Sequence, residues 1–196
     1  MNVDLEKIAQ FKGNGRGAIA YAHGLFIEKK EGEKGLAALE KKMAELGHPI
    51  NFKKIKVGGW YPEYLNALTI LTAKDLFSWT EKDVFEMGAS TPKNSFITKI
   101  LMKYFLSLEA FMKEVPRYWK KHLDFGALEV IQFSEEKKYM ILHEKGYKLH
   151  PIMCIYHAGF YRESAKYIIK SKEISIEETK CVFKGDPHNE YVIKWE

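Results

Sequence analysis

The segment DFGALEVIQFSEEKKYMILH, residues 124–143, is where the period of the chain changes. Upstream, apolar residues recur every three to four positions. From Leu128 onward they alternate, with Leu128, Val130 and Gln132 on one arm and Tyr139, Ile141 and His143 on the other. Ser134-Glu135-Glu136 between the arms predicts a hairpin turn. A helical half therefore gives way to sheet at Asp124-Phe125-Gly126.

Upstream of that point, residues 18–30 place Ile19, Ala22 and Phe26 at helical spacing. Residues 32–46 repeat the pattern through Leu36, Leu39, Met43 and Leu46, and Gly47-His48-Pro49 stops it. Gly15 to Gly17 reads as flexible, and residues 51–59 as a basic loop. Pro62 suits the first turn of a third helix through Leu65, Leu68 and Leu71, with Glu63 facing its dipole. Thr80, followed by Glu81 and Asp83, opens a fourth helix that Pro92 should bend or break. Phe96, Ile100, Tyr104 and Leu108 then form a strongly apolar stripe assigned to the middle of the core. Residues 108–122 form a further helical unit interrupted by Pro116, with Phe111, Met112, Val115 and Trp119 on one side.

Downstream, the helical period returns over residues 151–169 with Ile152, Ile155, Phe160, Tyr167 and Ile168. Ile174, Ile176, Cys181 and Phe183, then Tyr191, Ile193 and Trp195, give a closing hairpin around Gly185-Asp186-Pro187. Helices, two strands, a long helix and two strands predict an α+β fold with antiparallel pairing. No linker, repeat or low-complexity tract divides residues 1–196, so one domain is expected.

With 46% apolar and 29% charged residues, the chain is neither a disordered polyelectrolyte nor a membrane protein. Its charge-free stretches, such as Tyr64 to Ala73 and Leu149 to Tyr161, fall short of the ~20 residues a membrane span requires. Asp4, Glu6 and Lys7 interrupt any secretion signal, which gives a cytoplasmic expectation. Cys154 and Cys181 are too few for a disulfide framework and read as packed thiols. The net charge of +5 is spread over lysine doublets broken by glutamates, with no aromatic interleaving, so no nucleic-acid partner is expected.

Phosphate loops, dinucleotide fingerprints, nucleophile elbows and two-histidine zinc helices are absent from the sequence. Cys154 and His157 stand i,i+3 on the long helix, a spacing at which an imidazole can activate a thiol; no third orienting group accompanies them, and a buried thiol beside a helix histidine is the preferred reading. Cys154, Cys181 and His188, with His157 as a further ligand, compose a zinc alternative. Aromatic residues reach 14%, and Trp60, Tyr61, Phe96, Tyr104, Phe105, Phe111 and Trp119 all come from the helical half. Such residues line apolar ligand pockets and also fill ordinary cores.

The landmarks Gly59-Trp60-Tyr61-Pro62, Pro116-Arg117-Tyr118-Trp119 leading to Asp124-Phe125-Gly126, Gly159, Glu178 to Cys181 before Gly185-Asp186-Pro187, and the closing Glu190-Tyr191-Val192-Ile193-Lys194-Trp195 resemble a superfamily. Its members are 4-vinyl-reductase-type ligand-binding domains, haem nitric-oxide sensors and subunits of the TRAPP Golgi-transport tether. The nearest likeness is to uncharacterised bacterial proteins of similar length. The resemblance implies helices packed on a four-stranded antiparallel sheet with an apolar cavity between them. It also implies that zinc-binding members would place cysteines at Cys154 and Cys181, whereas Asn189 occupies the third position, so no metal is expected unless His188 substitutes. Haem-binding members carry a Tyr-x-Ser-x-Arg motif that Tyr161-Arg162-Glu163-Ser164 does not match, so no cofactor is expected.

The resulting expectation is a non-enzymatic sensor or carrier for a small apolar or aromatic ligand. Trp60, Tyr61, Tyr104, Trp119, Phe125 and His157 are expected near the cavity, and a homodimer or a signalling protein partner would report binding. An assembly subunit with a vestigial cavity, and an enzyme of tetrapyrrole metabolism, are the alternatives.

Overall fold

The computed structural model describes residues 5–94 and 108–196. Its central feature is a four-stranded antiparallel sheet of β3 (Ala127–Ser134), β4 (Tyr139–Lys145), β5 (Ile174–Lys180) and β6 (Asn189–Trp195), in the order β3-β4-β6-β5. Helices α5 (Leu108–His122) and α6 (Ile152–Ala165) pack against it, and α4 (Glu81–Asn94) runs along α6. Helices α1 (Leu5–Ala9), α2 (Gly17–Glu45) and α3 (Tyr64–Leu76) complete the layer. The expected α+β architecture is therefore the observed one.

Several local expectations need correction. Gly15 to Gly17 is not a flexible hinge: β1 (Asn14–Arg16) pairs antiparallel with β2 (Trp60–Pro62), and Gly17 opens α2. Pro62 consequently ends an edge strand, where its missing N–H is harmless, and α3 starts two residues later. The two helices expected over 18–46 are present, joined without a loop at a kink in α2 where Gly32 is non-helical, its φ of 76° accessible to glycine without the penalty a Cβ would impose. Thr80 does open α4, its N–H and Oγ1 both donating to Asp83 Oδ2 at 2.7 Å. Pro92 lies within that helix rather than ending it. The long helix stops at Ala165, short of 169. The stripe Phe96-Ile100-Tyr104 lies outside the described residues, as does the side chain of Phe111.

The residues whose alternation marks β4 are not its inner set. Met140, Leu142 and Glu144 are buried, while Tyr139, Ile141 and His143 are half-buried on the other face. Both phases carry apolar residues, so alternation alone does not select the inner one. A bulge between Val130 and Gln132 further shifts the pairing on β3.

Helix α6 is buried on most of its circumference because α4 approaches it through glycines. A Cβ on Gly88 would strike the Tyr156 carbonyl oxygen, and one on Gly159 would strike that of Phe85. This contact drives α6 inward and commits its central residues, Tyr156, His157 and Tyr161, to the interior. Among the described residues, no helix is long and apolar enough to cross a membrane.

Candidate functional site

Two buried carboxylates flank α6. Glu144, 0% exposed, stands opposite Asn189 in the β4–β6 register and accepts from its Nδ2 at 2.8 Å through Oε1. Its Oε2 lies 2.7 Å from His157 Nδ1 and accepts from the Tyr161 hydroxyl at 2.5 Å. His157 and Tyr161 are i,i+4 on α6, the spacing that brings both to one acceptor. Burial pushes the Glu144 carboxyl up, but His157, Tyr161 and Asn189 together hold it below its ordinary range.

Glu63, 1% exposed, precedes α3 and accepts from the Tyr147 hydroxyl at 2.7 Å and from Asn66 Nδ2 at 2.9 Å. Burial prevails over these partners and over His157, and its pKa rises to about 7. Tyr147 joins the two centres, since its ring stands edge-on to His157 with centroids 4.6 Å apart. A third buried group, His23 on α2, leaves both ring nitrogens without a hydrogen-bond partner and packs edge-on to Tyr156 at 5.1 Å. Burial and the facing His157 lower its pKa to about 3, so it is neutral.

Beside His157 lies a cavity of about 60 Å³. Its walls come from the start of α2 (Ala18, Ile19), from Thr91, from α5 (Tyr118, Trp119, His122), from Leu123 and Leu128, and from α6 (Tyr156, His157, Phe160, Tyr161). A second void of about 40 Å³ adjoins it and extends toward Met140, Leu142 and Ile193. Tyr118, Leu128, Phe160 and Tyr161 line both, so side chains rather than backbone divide them.

Of the residues singled out from sequence, the structure brings Trp119 and His157 to this cavity. Phe125 supports it from behind: its carbonyl accepts from Trp119 Nε1 at 2.7 Å and its ring packs on Tyr147 and Phe11. Trp60 and Tyr61 stand elsewhere, on β2. Trp60 is 43% exposed beneath the Arg16 guanidinium, 3.9 Å from the ring centroid, and the Tyr61 hydroxyl accepts from the Lys56 N–H at 3.0 Å. Neither aromatic character nor the Gly59-Trp60-Tyr61-Pro62 landmark brings them to the cavity, because the β1–β2 ribbon carries them to the surface. Tyr104 lies outside the described residues.

Cys154 does not address His157. Its Sγ lies 4.0 Å from Cys181 Sγ, and Glu178 joins this pair, all three ligand atoms falling within 4.8 Å of one another. Burial, reinforced by the negative charge of Glu178, pushes the Cys154 thiol above its ordinary range, which argues against a nucleophilic thiolate. His188, the sequence-based candidate for a third metal ligand, instead stacks on His143, with centroids 3.9 Å apart.

Sequence reasoning missed Glu63, Glu144 and Tyr147. A carboxylate at the inner position of an apolar strand, as in Met140-Ile141-Leu142-His143-Glu144, is the signal that would have found Glu144 had the strand phase been known.

No family model and no curated protein matches the chain. Solved structures do. An H-NOX protein from S. oneidensis in the Fe(II)NO ligation state superposes with a TM-score of 0.69 at 12% identity, covering 92% of this chain and 99% of that one. An oxygen-binding H-NOX domain related to soluble guanylate cyclases gives 0.65 at 13% identity, with 92% and 95% covered. An Fe(II) unliganded H-NOX protein from K. algicida gives 0.64 at 11%, with 92% and 96% covered. At these identities the likeness establishes a shared fold.

Proposed function

We propose that this chain is a non-enzymatic sensor or carrier on the H-NOX fold that holds a small apolar or single-ring aromatic molecule in the cavity beside Trp119 and His157. The observation that carries this reading is a void with aromatic walls meeting a buried imidazole whose Nδ1 lies 2.7 Å from Glu144 Oε2. The imidazole supplies a polar group to orient a guest, while the aromatic walls supply burial at roughly 25 cal/mol per Å² of apolar surface.

Haem does not fit the residues present. Voids of about 60 and about 40 Å³ fall far below the roughly 300–1,000 Å³ of a pocket for a large ligand. Combined by rotation of Tyr118 or Phe160, the two voids reach about two thirds of the roughly 150 Å³ that holds a benzene ring, so a single-ring guest requires further side-chain movement. Binding would then be reported through a homodimer interface or a signalling partner.

The test is native mass spectrometry of freshly purified protein together with a thermal-shift screen of phenols, short fatty acids and haem. A single-ring compound should raise the melting temperature and quench Trp119 fluorescence, the quench disappearing in Trp119→Phe, and added haem should give no bound Soret band. If no small compound shifts the melting temperature and none co-purifies, the small size of the cavity favours the second reading, an assembly subunit in which the void is vestigial.

A further inference from the structure

The outer face of the sheet carries a cluster that the cavity does not use. Because Leu142 and Glu144 point inward on β4, His143 between them points outward. Glu190 stands directly opposite it on β6, and His143 Nε2 lies 2.7 Å from Glu190 Oε2. His188, just before β6, lays its ring over that of His143 with an interplanar angle of 30°. Its Nε2 is buried and has no hydrogen-bond partner. One ligand atom from each of the three residues falls within 4.8 Å of the others.

We propose that His143, His188 and Glu190 form a divalent-metal site on the outer face of the sheet, with zinc as the ion best matched to two imidazoles and one carboxylate. Imidazole and carboxylate donors take zinc at about 2.1 Å in tetrahedral geometry, which sets ligand atoms roughly 3.4 Å apart. The cluster needs only rotation of side chains that lie at the edge of solvent, His143 and Glu190 each 14% exposed, to contract to that size. An orphaned nitrogen beside a carboxylate–imidazole pair is what such a site leaves when no ion is bound, and three protein ligands leave a fourth position for water.

Two neighbours shape the site. Thr179 Oγ1 donates to Glu190 Oε1 at 2.8 Å, which orients the carboxylate as an outer-shell partner would. Lys180 Nζ sits 2.9 Å from Glu190 Oε2 and must be displaced by the ion. Lys180 therefore weakens zinc binding, which a purely structural role for this cluster would not predict.

The experiment titrates the chelator-treated full chain with Zn²⁺ against a chromophoric competitor, and with Co²⁺ as a spectroscopic substitute. One equivalent should bind. His188→Gln and His143→Gln should each weaken binding on the order of 100-fold, at or above the loss seen when an outer-shell partner alone is removed. Lys180→Ala should tighten it, and Cys154→Ser with Cys181→Ser should leave it unchanged, with no thiolate charge-transfer band in the cobalt spectrum. No uptake, unchanged affinity in His188→Gln, or a thiolate band lost with the cysteines would overturn the proposal. If His143→Gln fails to fold, His188→Gln and Lys180→Ala carry the test alone.

Discussion

His157 Nδ1 lies 2.7 Å from Glu144 Oε2 in a setting where the carboxylate is wholly excluded from solvent. The pair ties the central helix to the inner face of the sheet, and Tyr161 and Asn189 complete the carboxylate's hydrogen bonds. Glu144→Ala should cost about 3–5 kcal/mol in urea unfolding, because it strands the partner groups in the interior. With its folded pKa depressed, Glu144 contributes stability above the ordinary carboxyl range, and that contribution is lost as pH falls through the folded value. A loss under 1 kcal/mol would show that the pair is not holding helix to sheet.

Glu63 has the opposite sign. Its pKa rises to about 7 on folding, so the folded state binds the extra proton between about pH 4.5 and about pH 7. Across that window this group makes stability decline as pH increases, by on the order of 3 kcal/mol in total, after which its effect is constant. Glu63→Gln should remove that component from a series of urea midpoints; an unchanged pH profile would count against the assignment.

The glycine contact between α4 and α6 leaves no room for a methyl group. Gly159→Ala should destabilise by about 1–3 kcal/mol, because the Phe85 carbonyl must be pushed back. For a chain of this size that corresponds to a melting-temperature drop of roughly 2–4 °C per kcal/mol, readable by calorimetry. An unshifted melting temperature would mean that the helices separate freely.

Ala18 forms part of the cavity wall, so Ala18→Val should fill the void with two added methyl groups. Stability should change by less than about 1.5 kcal/mol, while the thermal shift produced by a single-ring phenol disappears. A phenol shift of undiminished size would place binding elsewhere.

Both cysteines are buried, and the Cys154 thiol is held protonated by its surroundings. An aromatic disulfide reagent at mildly alkaline pH should leave the native protein essentially unreacted and titrate two thiols after denaturation. Rapid reaction of the native protein would revive a nucleophilic role for Cys154.

The α+β class was legible because period and punctuation are local properties. Asp124-Phe125-Gly126 separates a helical pattern from an alternating one, Thr80 with Asp83 announces a helix start, and Gly185-Asp186-Pro187 sits within the connection between β5 and β6. Trp119 and His157 were found because each is a bulky or polar side chain on a patterned helix. Glu63 and Tyr147 were not, since residues 84 positions apart meet only after β1 and β2 pair and α3 turns inward.

The sequence by itself determined the separation of two helical segments around Gly32 and, from residue 124 on, the succession of hairpin, helix and hairpin, because each follows from the conformational preferences of neighbouring residues. Only the tertiary structure decided which face of β4 turns inward, and with it the opposite fates of His143 and Glu144, adjacent in the chain. The first joins Glu190 on the outer face and the second joins His157 in the interior. Alternation specifies two faces without naming the buried one; that choice belongs to the helices that cover the sheet.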